Sequence, residues 1–353
     1  MKKTLFFNDR SLFGLDISPG IARIMQIEQK NGAREVVGFG SIQTDAKAMK
    51  DGVILNPDSI ARSIQELLSS NMQGKLSTSR VALSIPAAKT FSRAVKLPKL
   101  EKKDIADAVR LEAEQYIPIP IEALYLDYAT LHEDENETEL FAVAASRQLI
   151  DSYMSVAHIL NLEPVAIETT IDAATRLFIA TDTTNVPAVL VDFGANSADI
   201  TIVDRGVIAT GTVGGGGDNF TNRISKQLGV SQQEAHVIKT MYGLNYSKKQ
   251  SEISDALNPL LDQLFQEIKR MIRYNEERYG SRHKINQIVL MGAGATLPGL
   301  SERMTDVLRL PVRTSDPWKS FKFDKSTSIP STESQSYVTA AGLALITPSE
   351  LLQ

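Results

Sequence analysis

The chain has 353 residues, a formal net charge of −4 at pH 7 and no cysteine. Its hydrophobic share of 42% and charged share of 23% are those of a globular protein, and its length allows two domains. The lack of cysteine excludes disulfides, cysteine-ligated zinc and thiolate catalysis. The weakly acidic balance, without a cluster of Lys and Arg, gives no reason to expect a nucleic-acid partner.

The N-terminal apolar run Leu5–Phe7 stops at Asn8. This run is far shorter than the roughly 7–15-residue apolar segment of a signal peptide. No apolar run in the chain approaches the ~18 residues that a membrane span requires. We therefore expect a cytoplasmic chain that does not insert into a membrane directly.

The first segment of the chain alternates apolar and polar residues in three runs, which predicts strands over 13–17, 22–29 and 35–42. An amphipathic helix over 57–68 and a strand in "RVALSIP" follow. This β-β-β-α-β order differs from the β-α-β alternation of a dinucleotide-binding fold. The chain also contains no G-x-x-x-x-G-K-[ST] motif.

The segment from about Thr90 to Leu162 has a different pattern and predicts a compact α+β insert. Its predicted helices are residues 102–115 and "RQLIDSYMSVAHILNL". Its predicted strands are "FSRAVKLP", the part of "YIPIPIEALYLDYATL" that follows its two helix-breaking prolines, and "TELFAVAAS". The acidic run "HEDENETE" between two of these strands is typical of a solvated hairpin tip.

Two similar hairpins open the two halves of the chain. "VLVDFGANSADITIV" repeats the pattern of "LFGLDISPGIARIMQIE", so that Asp192 takes the place of Asp16. An aspartate can hold Mg²⁺ through its waters, and small residues let a phosphate approach backbone N–H groups. A single D-x-G is a common turn, but two copies favour hairpins that face each other across a cleft and bind one polyphosphate.

Four consecutive glycines follow the second hairpin in "TVGGGGDNF". We expect Asp218 to be the N-cap of a helix beginning near Asn219, with N–H groups open to a phosphate. The alternative is a flexible linker. Residues 231–279 are predicted to be mostly helical, and "SYVTAAGLALI" predicts a closing helix with a face of small residues.

The stretch "IVLMGAGATLPGL" predicts a strand, a turn of small residues and the start of a helix. The small residues would let a flat ring lie on the backbone. The stretch is not a Rossmann fingerprint, because Leu297 stands where G-x-G-x-x-G requires its last glycine.

These stretches, in this order, resemble the actin-like ATPase superfamily. The position of the insert and its sequence "RLEAEQYIPIPIEALYLDY" resemble the PilM family of type IV pilus assembly proteins, within the FtsA-like branch. The resemblance covers roughly residues 10–347. It implies a duplicated α/β actin-like (ribonuclease H-like) fold with two domains around a nucleotide cleft and an FtsA-type insert in domain I.

The resemblance also implies the subdomain boundaries. They are 1–89 and 163–187 with the C-terminal helix 337–353 for subdomain IA, 90–162 for the partner-binding insert IC, 188–218 and 286–336 for IIA, and 219–285 for the helical subdomain IIB.

The implied cofactors are ATP and Mg²⁺, with Asp16 and Asp192 at the metal. The other implied nucleotide-binding residues are Ser18, Gly20, Arg23, Gly194, Asn196, Ser197, Gly215, Gly216, Gly217, Asp218, Lys239, Gly292, Ala293, Gly294 and Ala295.

Three further residues bear on the chemistry that the resemblance implies. Glu168 matches the acidic residue that could act as general base beside Asp192, although an acid at a helix N-terminus is equally consistent with the sequence. His236 replaces the glutamate of the usual A-E-x-x-K, while Lys239 is retained beside the ribose. Ser18 replaces a glycine of the first hairpin, so we expect ATP binding with at most slow hydrolysis.

The implied partner is the cytoplasmic N-terminal tail of a PilN-like bitopic membrane protein, bound beside the insert in a manner that depends on nucleotide. A PilO-like protein and motor or platform components would be reached indirectly, and self-association is possible. The chain would thus lie at the inner face of the cell membrane in a pilus, secretion or competence system. The alternatives are an FtsA-like division protein that polymerises at the membrane and a small-molecule kinase of the sugar-kinase branch.

Overall fold

The computed structural model describes residues 11–204, 206–280, 284–323, 328–331 and 333–347. The last residues of the predicted closing helix, 348–353, and the apolar run near the N-terminus lie outside the described residues. Among the helices that the structure does describe, none combines the length and the apolar character of a membrane span.

The chain divides into two compact units. The first comprises Met1–Ile85, Ser152–Thr181 and Asp316–Gln353, and the second comprises Pro86–Asp151 and Asp182–Ser315. Residues 86–151, which are most of the predicted insert, thus group with the second unit, and residues 152–162 group with the first. The assignment of residues 90–162 to domain I, and the other subdomain boundaries, stay predictions.

The strands of the described residues are, in chain order, β1 (Phe13–Ser18), β2 (Ile21–Lys30), β3 (Ala33–Gln43), β4 (Met49–Lys50), β5 (Val53–Ile54), β6 (Gln73–Gly74), β7 (Arg80–Ile85), β8 (Thr90–Pro98), β9 (Leu124–Glu133), β10 (Glu137–Ser146), β11 (Glu163–Thr169), β12 (Ala188–Phe193), β13 (Ser197–Val203), β14 (Val207–Gly214), β15 (Gln287–Met291), β16 (Val312–Thr314) and β17 (Phe321–Phe323).

The α-helices are α1 (Pro57–Glu66), α2 (Lys102–Tyr116), α3 (Arg147–Ile159), α4 (Thr170–Thr181), α5 (Gly217–Leu228), α6 (Gln232–Met241), α7 (Gln250–Tyr279), α8 (Leu300–Leu308) and α9 (Val338–Ala344). The strands and helices predicted from periodicity are present, with most ends within a few residues of the predicted ones. The boundary between the two units falls within α3, at Ser152.

The first unit contains a sheet in the order β11-β7-β1-β2-β3-β17, with β6 paired to β3. β1 and β2 form an antiparallel hairpin, and β1 runs parallel to β7. The predicted small-residue face of the closing helix α9 is confirmed. A Cβ at Gly342 would lie 1.9 Å from the carbonyl oxygen of Ala173, and a Cβ at Gly14 would lie 2.1 Å from that of Ala340. The small side chains therefore let α9 lie against α4 and β1.

The insert part of the second unit is an antiparallel sheet in the order β8-β10-β9. The helix α2 covers one face of this sheet, because Val109 packs with Val95, Leu97, Leu140 and Ala142. The α+β character predicted for this segment is confirmed in its elements.

The remaining part of the second unit is built on a sheet in the order β14-β13-β12-β15-β16. β12, β13 and β14 pair antiparallel, whereas β12 and β15 run parallel. Buried side chains of α5 and α7, including Phe220, Leu264 and Ile268, form a core with the strand residues Val191 and Ile200. This sheet presents the second hairpin and the small-residue turn at neighbouring strand ends.

Candidate functional site

The second hairpin turns over Gly194–Asn196, between β12 and β13. The N–H of Gly194 donates to the carbonyl of Ser197 at 2.9 Å, which closes the turn. The antiparallel register places Asp192 directly opposite Asp199. Since opposed residues point to the same face of a sheet, two carboxylates share this face. Thr212 of β14 donates its hydroxyl hydrogen to Asp199 at 2.8 Å.

Asp199 was not among the residues predicted for the site. The length of the turn carries the information that identifies Asp199. A turn of three residues after β12 places Asp192 opposite the residue seven positions later, which is Asp199. The register is sensitive to the turn, because a change of one residue in its length would alter which residues are opposed.

The glycine run is docked on the hairpin. The N–H of Gly215 donates to Asn196 at 2.9 Å, that of Gly217 to Gly194 at 3.0 Å, and that of Asp218 to Ala195 at 2.8 Å, each to a carbonyl oxygen. These bonds make the run an ordered loop, so the flexible-linker alternative is wrong. In these hydrogen bonds the hairpin carbonyls accept from N–H groups that we expected to be open to a phosphate.

The predicted N-cap of the following helix is wrong. α5 begins at Gly217, with Gly216 as its N-cap, and Asp218 is its second residue. The N–H of Gly216 donates to the side-chain oxygen of Asn219 at 3.0 Å. The hairpin carbonyls satisfy the N–H groups that an aspartate cap would have satisfied, so the helix starts earlier. Asp218 still lies where the helix dipole favours a carboxylate.

Lys239 of α6 reaches back to this loop. Its amine donates to the carbonyl of Gly217 and to the hydroxyl of Thr221, both at 2.8 Å. Burial lowers the pKa of Lys239, and the carboxylate of Asp218 opposes that shift. A lysine amine has three hydrogens, so one donor is left for another acceptor. The predicted ribose contact of Lys239 stays a prediction, and His236 lies exposed on the same helix.

The small-residue turn that follows β15 packs against the end of β12. A Cβ at Gly292 would lie 2.1 Å from Asp192 Oδ1, and a Cβ at Gly294 would lie 2.6 Å from Phe193 Cβ. Both glycines are therefore required by the protein's own packing, a reason that we did not predict. The predicted role of this turn, from Gly292 to Ala295, as a platform for adenosine stays a prediction.

The glycines of the loop differ in whether a Cβ atom would fit at their positions. A Cβ at Gly216 would lie 2.4 Å from the carbonyl oxygen of Gly194, so this residue must be glycine. A Cβ at Gly217 would meet the Lys239 amine at 3.6 Å, and one at Gly214 would meet no atom within 4 Å. No protein atom among the described residues therefore demands glycine at these two positions. Gly214 was not among the predicted site residues.

This arrangement fits a phosphate-binding loop. The lysine amine supplies positive charge, and the open backbone at Gly214 and Gly217 leaves room for close approach. Among the described residues, no group of three or more His, Asp or Glu could hold a metal ion. Asp192 is the residue of this turn that would hold a Mg²⁺ ion, because carboxylate oxygens are among the ligands that Mg²⁺ prefers. The predicted ligand set, ATP with Mg²⁺, is compatible with these residues.

The first hairpin lies in the first unit and holds its aspartate differently. Asp16 is buried and accepts hydrogen bonds from Ser84 at 2.7 Å and from Ser18 at 3.4 Å. Arg23, its partner in the register, approaches it to 3.6 Å. Gly20 has a φ of +82°, which suits the third position of a turn with proline before it. The carboxylate of Asp16 is thus held by side chains of its own unit, and its metal contact stays a prediction.

Glu168 lies in strand β11, two residues before α4 begins, so it is next to a helix N-terminus without being part of the helix. Both of its carboxylate oxygens accept hydrogen bonds from Arg176, at 2.6 Å each. A carboxylate in a bidentate ion pair with arginine is tightly positioned. Its role as general base stays a prediction.

The structure brings the predicted residues of the second unit together at the end of β12. These residues are Asp192, Gly194, Asn196, Ser197, Gly215, Gly216, Gly217, Asp218, Lys239, Gly292, Ala293, Gly294 and Ala295. The predicted residues of the first unit, Asp16, Ser18, Gly20 and Arg23, share the β1–β2 hairpin.

Comparison of the sequence with known proteins finds related bacterial families. The chain is 22% identical to the cell division protein FtsA of Bacillus subtilis, over 88% of this chain and 79% of that protein. It is 23% identical to FtsA of Borreliella burgdorferi, over 87% of this chain and 84% of that protein.

Comparison with solved structures shows the fold. The structure entitled "PilM-PilN type IV pilus biogenesis complex" matches with a TM-score of 0.83 at 23% identity, covering 96% of this chain and 98% of that one. The ethanolamine utilization protein EutJ of Carboxydothermus hydrogenoformans matches with a TM-score of 0.56 at 15% identity, covering 96% and 90%. MreB5 of Spiroplasma citri bound to ADP matches with a TM-score of 0.51 at 13% identity, covering 94% of each chain. These neighbours confirm the predicted actin-like fold class.

The family model that matches this chain is described as type IV pilus assembly protein PilM, and it covers residues 14–347. That range includes both hairpins, the insert, the glycine loop and the closing helix. The predicted membership is therefore confirmed, and the chain belongs to the PilM family of type IV pilus assembly proteins.

Proposed function

We propose that the chain is an ATP-binding scaffold of the type IV pilus assembly machinery, or of a related secretion or competence system. In this proposal it binds the cytoplasmic N-terminal tail of a PilN-like membrane protein and lies at the inner face of the membrane through that partner. Contact with a PilO-like protein and with the motor would be indirect. The observation that carries the proposal is the match of the PilM family model over residues 14–347, insert included.

The partner follows from the solved relative. The structure of similar fold is a complex of PilM with PilN, and it covers 96% of this chain. A PilN-like tail is therefore the first candidate to test. The extended β8-β10-β9 sheet is the segment that distinguishes the proposed scaffold from a minimal duplicated fold.

The nucleotide part of the proposal rests on the loop at the end of β12. When bound, Mg-ATP supplies a polyphosphate chain whose negative charge the protein must balance. Asp192 would hold the hydrated metal, Lys239 would offset phosphate charge, and the open backbone at Gly214 and Gly217 would admit the phosphates. Gly292–Ala295 would lie beside the adenosine. The first hairpin would bind the same triphosphate through Asp16, Ser18, Gly20 and Arg23.

We further propose that ATP acts as a conformational ligand with at most slow turnover. Glu168 is the residue that would orient the attacking water, and its carboxylate is held on both oxygens by Arg176. A general base must lie within hydrogen-bond reach of the water. Each oxygen of Glu168 keeps a second lone pair beside its bond to Arg176, but the ion pair fixes the direction in which that lone pair can accept a proton.

The test uses a synthetic peptide with the N-terminal cytoplasmic sequence of a PilN-like membrane protein from the same organism. Calorimetry should detect binding of the peptide to the full chain, with or without Mg-ATP. Absence of binding under both conditions would overturn the proposed partner. Asp192→Ala should abolish Mg-ATP binding while Asp306→Ala, at an exposed position of α8, should leave it intact.

The FtsA-like alternative keeps one supporting observation, the 22% identity to FtsA of Bacillus subtilis. A division protein of that kind would polymerise with ATP on a lipid surface. Sedimentation of the chain with Mg-ATP and liposomes, together with failure of the PilN-like peptide to bind, would favour that alternative over the proposed scaffold.

A further inference from the structure

The strand β14 connects the phosphate-binding loop to the rest of the second unit. Among the strands that the structure describes, it pairs only with β13 and is an edge strand of its sheet, and it ends at Gly214, where the glycine loop begins. An edge strand has one row of ladder hydrogen bonds, so it can shift more readily than a central strand. A ligand that rearranges the loop would therefore act on β14, to which the loop is covalently joined.

The insert contacts this strand directly. The hydroxyl of Ser92, on β8, lies 3.1 Å from the hydroxyl of Thr210, on β14. The 3₁₀ turn Ala87–Lys89, where the insert begins, also contacts β13 and β14. The insert is thus in contact with the strand that carries the glycine loop.

A second link runs through α7. Arg278, near the end of that helix, forms an ion pair with Glu139 of β10, and the two side chains are 24% and 12% exposed. The guanidinium also lies over the rings of Tyr274 and Tyr279, with 5.8 and 5.4 Å to the ring centres. Such a partly buried pair is positioned by several contacts, unlike a mobile surface pair.

The helix α7 is in turn packed on β14. A Cβ at Gly211 would lie 3.0 Å from the sulfur of Met271 and 3.2 Å from Glu267 Oε1. The helix and the strand approach so closely that a displacement of one must displace the other. The ion pair of Arg278 therefore connects the insert to β14 a second time.

Two threonines of β14 connect the insert to the carboxylates of the hairpin. Thr210 and Thr212 are two residues apart on β14, so their side chains lie on the same face of the sheet. Thr212 donates to Asp199 at 2.8 Å, and Asp199 lies opposite Asp192. The residue that contacts the insert is thus two positions from the residue that contacts the second carboxylate.

We propose that β14 couples the insert to the phosphate-binding loop, so that the partner peptide and Mg-ATP change each other's affinity through the Ser92–Thr210 and Glu139–Arg278 contacts. This inference rests on the proposed function, since it names how the two ligands of that function communicate. Coupling between two ligands is reciprocal, so each must change the affinity of the other by the same factor.

The experiment measures four dissociation constants by calorimetry on the full chain: peptide with and without Mg-ATP, and Mg-ATP with and without peptide. The peptide is the PilN-like N-terminal tail used above. For the wild type we expect a coupling factor of about 5-fold or more, the lower end of measured allosteric couplings. Ser92→Ala, Thr210→Val and Glu139→Gln should each bring the factor towards 1, while each ligand alone binds within about 2-fold of wild type.

The matched control is Lys99→Gln. Lys99 also forms an ion pair inside the insert, with Glu133, but that pair has no contact with α7 or β14 among those described. This variant should keep the wild-type factor. Ser92 is exposed, so Ser92→Ala should fold even if Glu139→Gln is unstable.

The outcomes separate the inference from the proposed function. If both ligands bind and the wild-type factor is 1, or if the variants keep the wild-type factor, the inference is wrong and the binding function stands. If neither ligand binds to the wild type, the proposed function fails and the inference fails with it.

Discussion

Asp192 and Asp199 face each other across the β12–β13 hairpin, whereas Asp16 faces Arg23 at the same place in the β1–β2 hairpin. The two copies thus share their register but differ in charge. In the first, the aspartate is neutralised by an arginine 3.6 Å away. In the second, two carboxylates share one face, which suits a hydrated divalent cation better than an arginine pair does. If the chain binds Mg-ATP as proposed, the second hairpin should therefore contribute more to the binding of Mg²⁺ than the first.

Asp199→Asn should therefore weaken the contribution of Mg²⁺ to ATP binding by about tenfold, since a hydrogen bond to a charged group is worth about 1.5–3 kcal/mol. The measurement is a titration of a fluorescent ATP analogue with Mg²⁺ and with EDTA. Thr201→Val provides the control, because Thr201 lies on the same strand and face as Asp199 without a charge. A variant Asp199→Asn with unchanged Mg²⁺ dependence would show that Asp192 acts alone.

Gly216 and Gly217 are neighbours with opposite expected responses to alanine. At Gly216 the Cβ would lie 2.4 Å from the Gly194 carbonyl, so Gly216→Ala should lower the melting temperature and abolish nucleotide binding together. At Gly217 the nearest atom is 3.6 Å away, and replacing glycine by alanine at a compatible backbone position stabilises a protein by about 0.4–1 kcal/mol. Gly217→Ala should keep or raise the melting temperature and yet lower ATP affinity about tenfold or more, because its methyl group would occupy the space open to a phosphate.

Thermal unfolding and ATP titration of the two variants make this comparison. Wild-type ATP affinity in Gly217→Ala would mean that the phosphates do not approach the backbone at that residue. An unchanged melting temperature in Gly216→Ala would show that the loop can move away from the hairpin without cost.

Much of the fold could be predicted from the sequence because its signals are local. The alternation in "LFGLDISPGIARIMQIE" fixes a hairpin within twenty residues, and the amphipathic period identifies α1, α2 and α7. The small-residue face of α9 was also predictable, because small residues such as Gly342 along one face of a helix indicate close packing against another element. The three-residue strand β17 was not predicted, because its pairing with β3 joins distant parts of the chain.

The residue types of the site were predictable from the sequence, but their contacts were not, because those contacts join distant parts of the chain. Asp218 carries the right side chain for an N-cap, yet the carbonyls of Gly194 and Ala195 take the N–H groups of the helix start. Gly292 and Gly294 were correctly singled out, but their packing against Asp192 and Phe193 is a tertiary contact. In each case the sequence showed an unusual residue, and the neighbour that explains it came from a distant part of the chain.

Lys239 should contribute to nucleotide affinity without being needed for the fold. Lys239→Met keeps the length of the side chain and removes the partly buried ammonium, so we expect ATP affinity to fall about tenfold while the melting temperature changes little. Lys226→Met, at an exposed position of α5, is the control and should change neither. Both are measured by titration and thermal unfolding. A loss of stability in parallel with affinity would mean that Lys239 only holds the loop.

The pH dependence provides a second readout for Lys239. Burial lowers the pKa of Lys239 in the folded chain below its ordinary value of 10.5. At pH values between the pKa of the folded chain and 10.5, the unfolded chain therefore binds more protons than the folded chain. The contribution of Lys239 to stability therefore rises with pH across that alkaline window. Lys239→Met should lack this rise when urea unfolding is followed between neutral and alkaline pH. A variant with the wild-type pH profile would contradict the assignment.

Asp172, at the start of α4, should make the first unit less stable as the pH rises. Burial raises the pKa of its carboxyl group, although hydrogen bonds with Thr169 and the charge of Arg176 oppose the shift. The folded chain thus binds a proton at Asp172 more tightly than the unfolded chain. The resulting contribution to stability is present below the ordinary pKa of 3.8 and is lost as the pH rises through the pKa of the folded chain.

Asp172→Asn keeps an acceptor for the Thr169 hydroxyl, 2.6 Å from Oδ2, without a charge to bury. We expect its melting temperature relative to wild type to increase between acidic and neutral pH, while Asp58→Asn, exposed on α1, shows no such trend. A constant difference between Asp172→Asn and wild type across this range would mean that the carboxylate is fully compensated by Thr169 and Arg176.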